Sequence, residues 1–477
     1  MSTRHPLELT EAEMRELVAR AMDRIVAHIG SLDAQPAART EGGAALARAL
    51  AEPLPEQPTP FAELLDLLFE RVITCSFNTA GPGYLAYIPG GGLFHSAVAD
   101  LIADATNRYV GVFQAAPGLA QIEANVIRWF CDLAGYGEGS GGFLTTGGSL
   151  ANLSAVITAR HERLGETFLE GTVYLSDQTH HSVHKAARLA GLPASSVREI
   201  PSDEQFRVRV DLMAERMADD RAKGLRPFLI CANAGTTNTG AVDDLDALAD
   251  LAAASGAWLH VDAAYGGFFM LTERGRRCLR GLHRADSITL DPHKGLFLPY
   301  GTGCLLARDA GALRRTHALH AHYLPDMQTE RDLVDFCEIS PELSRDPRGL
   351  RVWLPLKMHG VQAFRDSLDE KLDLAAWAAD RLRDISGIEI LSPPQLSIVA
   401  FRLAPPGVVP DALDGINREL LDRVNAGGRV FLTATTLRGR FAIRICVLSF
   451  RTHQDRMHEA VDAIRAAVAL GEPRRQP

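Results

Sequence analysis

The sequence predicts an α/β protein: a mostly parallel central sheet covered by helices on both faces, a helical arm before it and a smaller α+β domain after it. Three observations predict this. Between about residues 140 and 310, short apolar runs alternate with helical segments, as parallel strands joined by crossover helices do. Residues 8–30 carry apolar side chains at helical intervals, but a proline-rich stretch separates them from the rest of the chain. From about residue 351 the texture changes to fewer strands and a closing helix.

In chain order, Thr10 and Glu13 have capping-box spacing, and Met14, Leu17, Val18, Met22, Ile25 and Val26 form the stripe of the first helix. The four prolines between Ala51 and Pro60 mark a linker or an extended arm. A helix with no local cover for its stripe must pack elsewhere, and a second subunit is one candidate. Strands are expected at Thr172–Ser176, Phe228–Ala232, Trp258–Asp262, Ser287–Leu290 and Gly303–Ala307, with helices at Leu150–Leu164, Val183–Ala190 and Leu245–Ala254. Residues 309–350 are rich in charge and histidine and weak in periodicity. Beyond them, Leu396–Leu403 and Phe441–Leu448 read as strands and His458–Leu470 as a helix. The 477 residues leave room for two or three domains. The expected division is 1–75 (helical, dimerising), 76–350 (large domain) and 351–477 (small domain).

Lysine plus arginine number 50 and aspartate plus glutamate 59, giving a net charge of −9, so a nucleic-acid partner is not expected. The seven cysteines are scattered without a CxxC pair, which suggests neither a zinc ribbon nor a disulfide framework. Acids throughout the first thirty residues argue against a secretory signal, and no apolar run reaches membrane-spanning length. A cytoplasmic protein with no membrane partner is expected.

Ligands of parallel sheets bind at the carboxyl ends of the strands. Five polar stretches sit there. Asp291-Pro292-His293-Lys294 follows one strand; a lysine so placed, if desolvated, loses pKa and becomes a nucleophile toward carbonyls. Asp262 closes the strand of His260-Val261-Asp262-Ala263-Ala264 and can pair with a buried cationic nitrogen. Thr145-Thr146-Gly147-Gly148-Ser149 opens a helix, an anion site suited to a phosphate. Neither GxGxxG nor GxxxxGK[ST] occurs, which disfavours dinucleotides and P-loop nucleotides. Ser176-Asp177-Gln178-Thr179-His180-His181-Ser182-Val183-His184 offers a ring to stack on a flat cofactor or move a proton. Its histidine spacing also allows a metal, but HExxH is absent and no metal is expected. Gly235-Thr236-Thr237 supplies small polar contacts. Each stretch alone is weak. Together they form the parts list for pyridoxal phosphate: an amine, an acid for the pyridine nitrogen and a phosphate cradle.

With these motifs in this order, from about Leu64 to Ala469, the chain resembles the group II pyridoxal-phosphate-dependent amino-acid decarboxylases, aromatic L-amino-acid decarboxylase among them. The resemblance implies a fold type I, aspartate aminotransferase-like architecture and a homodimer with shared active sites. It implies Lys294 as the Schiff-base lysine, Asp262 as the acid at the pyridine nitrogen and His180 as the stacked ring. It places Gly148, Ser149 and His293 at the phosphate and Thr237 near the ring. Tyr323, in His-Ala-His-Tyr-Leu-Pro-Asp, matches the tyrosine of the family's mobile catalytic loop, expected over about 317–345. Two departures stand out. Asp291 replaces a frequent asparagine, and Ile88 in Ala86-Tyr87-Ile88-Pro89 removes an aromatic wall found in aromatic decarboxylases.

The implied reaction is decarboxylation of an L-amino acid to its amine. Tyr323 or His180 returns a proton to Cα. A decarboxylating aldehyde synthase, or a decarboxylase of large aliphatic amino acids, is the alternative. Tyr87, Ile88, Phe113 and Ser344 are the expected substrate-pocket residues, with Leu85 nearby. With no lysine or arginine around Tyr87 to meet a side-chain carboxylate, an aromatic substrate is expected over glutamate or aspartate.

Overall fold

The computed structural model describes residues 5, 7–319 and 333–471. Its first helix, α1 (Glu11–Gly30), starts at the expected capping box: the Glu13 amide donates to Thr10 Oγ1, and the Thr10 amide donates to the Glu13 carboxylate. No residue of α1 is buried. Residues 51–60 are exposed throughout, without regular structure. Helices α2 (Phe94–Thr106) and α3 (Pro117–Ala134) then lead to the central sheet.

That sheet contains β1 (Gly141–Thr145), β2 (Gly171–Ser176), β3 (Val197–Ile200), β4 (Arg226–Asn233), β5 (Trp258–Asp262), β6 (Ser287–Leu290) and β7 (Gly303–Ala307). Their order is β1-β7-β6-β5-β4-β2-β3. Strand β7 is antiparallel to both neighbours and the other pairings are parallel, so the sheet is mostly parallel as expected. The connections are α4 (Gly148–Leu164) after β1, α5 (His181–Leu189) after β2, α6 (Val210–Ala222) after β3, α7 (Leu245–Ser255) after β4 and one short turn, α8 (Pro292–Gly295), after β6. Strand β4 shows why its run is unbroken and apolar. Leu229 and Cys231 pack on one face with Val156 and Val183, while Ile230 and Ala232 pack on the other with Met213 and Leu248.

After α9 (Ala310–His317), the helix α10 (Arg348–Arg383) crosses to a second sheet, breaking at Gly360, whose φ of 69° no helix tolerates. This sheet holds β8 (Ile388–Ser392), β9 (Ile398–Leu403), β10 (Thr433–Leu437) and β11 (Arg440–Cys446) in the order β10-β11-β9-β8, all antiparallel. Helices α11 (Pro410–Ala426) and α12 (Gln454–Gly471) pack on it, around Phe401, Leu420, Ile445 and Ile464.

Of the segment expected to be a mobile loop, residues 320–332, including Tyr323, lie outside the described residues. Within 333–345, several residues of that segment are anchored to the large domain. Phe336 and Ile339 are buried beside Phe143 and Leu313, Asp335 accepts from the Phe113 amide at 2.6 Å, and buried Arg345 pairs with Glu123 at 2.8 Å. Two apolar residues three apart are too few to show a period, so the sequence hid this anchor. Among the described residues, no helix is long and apolar enough to cross a membrane.

Candidate active site

A cavity of about 290 Å³ opens at the carboxyl ends of the central strands, and all five polar stretches reach it. Thr146–Ser149 enters from β1, His180 from β2, Gly235–Thr237 from β4, Asp262 from the last position of β5, and Asp291, His293 and Lys294 from β6. Seven residues expected to serve the cofactor therefore converge: Gly148, Ser149, His180, Thr237, Asp262, His293 and Lys294.

Lys294 Nζ lies 2.9 Å from Asp291 Oδ2. Burial pushes its amine down, but the carboxylates of Asp291 and Asp262, together with Tyr300, lift it above the ordinary lysine value. This corrects the expectation that desolvation would lower its pKa: a charged partner three residues away outweighs burial. Asp291 Oδ1 is buried without a hydrogen-bond partner.

Helix α4 opens on the cavity with no side-chain cap at Gly147, which leaves first-turn amides for an anion. A Cβ at Gly148 would lie 3.0 Å from Asp291 Oδ2 and 3.2 Å from the Ala264 Cβ, so any side chain there would fill this cradle. His293 Nδ1–H donates to the Thr302 carbonyl at 2.6 Å. Burial lowers its pKa, so to donate to an anion the ring must take a second proton on Nε2. The amine, the uncapped helix start, the buried acid and the open floor fit a flat cofactor with an aldehyde and a phosphate arm. Among the described residues, no group of three or more His, Cys, Asp or Glu side chains is placed to hold a metal ion.

Asp262 is buried and accepts from Asn152 Nδ2 at 2.9 Å and from the Ala264 amide at 3.1 Å. Burial lowers the pKa of His180. Its Nδ1 accepts from the Ser182 amide at 3.3 Å and lies 2.8 Å from Ser182 Oγ. His184 points elsewhere, to Glu199 at 2.9 Å, and does not join the adjacent His180 and His181 rings.

The expected substrate-pocket residues are not among those lining the cavity. Ile88 is buried in the core beside the central sheet. Tyr87 is 52% exposed; its backbone has φ 47°, and Arg444 clamps it by donating to both the Tyr87 and Thr237 carbonyls. Phe113 and the exposed Ser344 belong to one patch, joined by the Asp335 contact to the Phe113 amide and by Tyr109 Oη donating to the Leu343 carbonyl. Sequence reasoning also passed over Asn152, Arg444 and His260, the last quoted but given no role. Arg444 is buried, donates further to the Asn238 carbonyl and Thr433 Oγ1, and pairs with no carboxylate among the described residues. Its signal was a charge inside the apolar run Phe441–Leu448.

Comparison with known proteins identifies the family. Residues 44–404 match the pyridoxal-dependent decarboxylase conserved domain. The chain is similar to an aromatic-L-amino-acid decarboxylase of Bacillus atrophaeus, 37% identical over 96% of each chain. It superposes on the crystal structure of Oryza sativa TDC with PLP and tryptamine with a TM-score of 0.92, at 27% identity over 98% of this chain and 99% of that one. The Catharanthus roseus tryptophan decarboxylase in complex with L-tryptophan gives a TM-score of 0.91 at 28% identity, with the same coverage.

Proposed function

Because the chain belongs to the pyridoxal-dependent decarboxylases, with their fold and their pyridoxal 5′-phosphate cofactor, we propose that it decarboxylates an aromatic L-amino acid to the corresponding amine. The observation that carries the reading is the single cavity holding Lys294, Asp262, His180 and the α4 cradle. In it, Lys294 would hold the cofactor through Nζ, Gly148, Ser149 and His293 would take its phosphate, and Thr237 would lie near its ring. When bound, the cofactor supplies an electron sink for the pair released with CO2. Asp262, acceptor-only as a carboxylate, keeps a proton on the ring nitrogen; His180 closes one face of the ring and excludes water there. Tyr323 delivers a proton to the substrate Cα. The balance is one amino acid and one proton in, one amine and one CO2 out.

Two observations support an aromatic substrate. Among the described residues lining the cavity, Lys294 is the one lysine or arginine, and Asp291 engages it, so a side-chain carboxylate would be buried unpaired. The similar proteins named above act on or bind aromatic amino acids. We further read the active unit as a homodimer, with the Phe113–Ser344 patch completing the partner's cavity. The seven free thiols favour the cytoplasm.

The test is a substrate panel of tryptophan, tyrosine, phenylalanine, leucine, methionine and glutamate, with amine, aldehyde and H2O2 measured in parallel. An aromatic substrate giving amine is expected; glutamate turned over faster than every neutral amino acid would overturn the reading. Tyr323→Phe deletes the donor but keeps the ring. We expect normal cofactor binding, a loss of amine formation of about 10²–10⁴-fold, and a shift to aldehyde, ammonia and H2O2 as O2 and water are consumed.

A further inference from the structure

A buried chain of polar groups runs from Trp258, Ser287 and His260 behind the cavity to Asn152, Ser182 and His180 in its wall. Trp258 Nε1 lies 2.8 Å from Ser287 Oγ, and Ser287 Oγ lies 2.8 Å from His260 Nδ1. His260 Nε2 lies 3.0 Å from Asn152 Oδ1, with Thr289 Oγ1 farther off at 3.4 Å. Asn152 Nδ2 then reaches both Asp262 Oδ2 and Ser182 Oγ, each at 2.9 Å, and Ser182 Oγ meets His180 Nδ1 at 2.8 Å. His260, Asn152, Ser182 and Ser287 are each at most 3% exposed, so water does not complete their bonding.

Elementary donor–acceptor rules set the direction of every link. The Asp262 carboxylate accepts only, so Asn152 must turn its NH2 toward it and its oxygen toward His260. His260 must then carry its proton on Nε2, because two acceptors face to face would repel. Burial holds this ring neutral, with a pKa lowered to about 4, so its Nδ1 is a bare acceptor. Ser287 therefore donates its hydroxyl proton to Nδ1 and accepts from the indole N–H, which can only donate. On the other side, the second Asn152 N–H occupies Ser182 Oγ, whose proton goes to His180 Nδ1. That nitrogen also accepts from the Ser182 amide, so the His180 proton sits on Nε2. The demands of the carboxylate, the indole and the amide agree.

We propose that Asn152 is a positioning residue that ties Asp262 to His180 through Ser182, with the orientation of its amide set by His260. Asp262 ends β5 and His180 caps α5, and one planar amide with two protons reaches the first directly and the second through Ser182. Asn152 stands in the cavity wall, but both of its amide protons are taken by Asp262 and Ser182, so it acts through Asp262 and His180. The inference rests on the roles given above to Asp262 and His180.

The test uses the cofactor-loaded enzyme. Selective ¹⁵N-histidine labelling should show His180 and His260 as neutral rings protonated on Nε2; a proton on Nδ1 of either overturns the scheme. Asn152→Ala should weaken cofactor affinity roughly tenfold to a hundredfold, the scale of a lost bond to a charged group, and move the pH titration of the visible band. Far-ultraviolet circular dichroism should stay unchanged. His260→Gln retains an N–H for Asn152 and an acceptor for Ser287, so its affinity should stay within about threefold of the parent. His260→Phe has neither and should match Asn152→Ala, with the double variant no worse than either alone. Equal behaviour of His260→Gln and His260→Phe, or parent affinity in Asn152→Ala, overturns the proposal. Asp262→Asn separates the two levels. If it also keeps parent affinity and spectrum, the role given to Asp262 fails; if it alone loses them, only the role of Asn152 does.

Discussion

At the scale of single residues, the ion pair between Asp291 and Lys294 sets a condition on cofactor loading. Attack on an aldehyde needs a neutral amine, and the carboxylate 2.9 Å away favours the charged one. The same carboxylate lies under Gly148, in the anion cradle. Asp291→Asn removes both obstacles, so loading at neutral pH should accelerate by about tenfold for each unit by which the amine pKa falls. Stopped-flow growth of the visible band measures it, and slower loading would show that the carboxylate assists instead. His260 gives a second prediction, on stability. Its pKa falls from 6.5 unfolded to about 4 folded, because burial disfavours the cation. Between those values the unfolded chain holds more protons, so stability is lost as pH drops through this window. Between pH 7 and pH 5 the parent should lose more stability than His260→Gln, in urea unfolding at each pH. Which site residues could be read from the sequence depends on where they sit. Lys294, Asp262 and His180 stand at strand ends beside glycines and small residues, and could be found. Asn152 sits within a helix pattern and Arg444 within a strand, and nothing local tells a buried polar residue from a solvated one.

At the scale of elements, α1 is the helix whose environment is incomplete. It has a sound cap and 20 residues, yet Met14, Leu17 and Val18 are 47%, 41% and 41% exposed and nothing in α1 is buried. Most helical stability in proteins comes from packing of one face, and a lone helix of this length is marginal in water. The homodimer proposed above gives the stripe its cover. Replacing Met14, Leu17 and Val18 together by Gln should therefore shift the sedimentation coefficient toward monomer at micromolar concentration while leaving the far-ultraviolet spectrum nearly unchanged. An undiminished dimer would place the contact elsewhere. The strands recognised from sequence, such as β5 and β6, are apolar and flanked by turns. Strand β1 escaped because it begins with two glycines. Gly142 is there because a Cβ would lie 2.0 Å from the Leu305 carbonyl on β7, so close approach of two strands erased the side-chain signal. Strand β10, Thr-Ala-Thr-Thr-Leu, is too polar to stand out and is fixed by its pairing with β11.

At the scale of the whole molecule, the question is which cavity each catalytic group serves. Within one chain, Phe113 and Ser344 stand together on a patch anchored by Asp335 and by the buried Arg345–Glu123 pair, and neither lines that chain's own cavity. A dimer that carries this patch to the neighbour's cavity brings residues 333–345, the C-terminal part of the 317–345 segment, with it, and Tyr323 belongs to the same segment. Complementation tests this directly. One homodimer carries Lys294→Ala and keeps Tyr323; the other carries Tyr323→Phe and keeps Lys294. Each alone should make almost no amine. After subunits exchange, half of the dimers are mixed. If Tyr323 serves the partner, each mixed dimer has one cavity with an intact Lys294 and an intact Tyr323. Amine formation should then recover to about a quarter of the parent rate, half of the dimers with one site in two. If Tyr323 serves its own chain, no cavity in any mixed dimer holds both groups and activity stays at the level of the variants. Separation of the mixed species by a tag on one subunit, followed by amine assay, reads the difference. Recovery assigns the patch and its tyrosine to the neighbour; absence of recovery after verified exchange returns both to the chain that carries them.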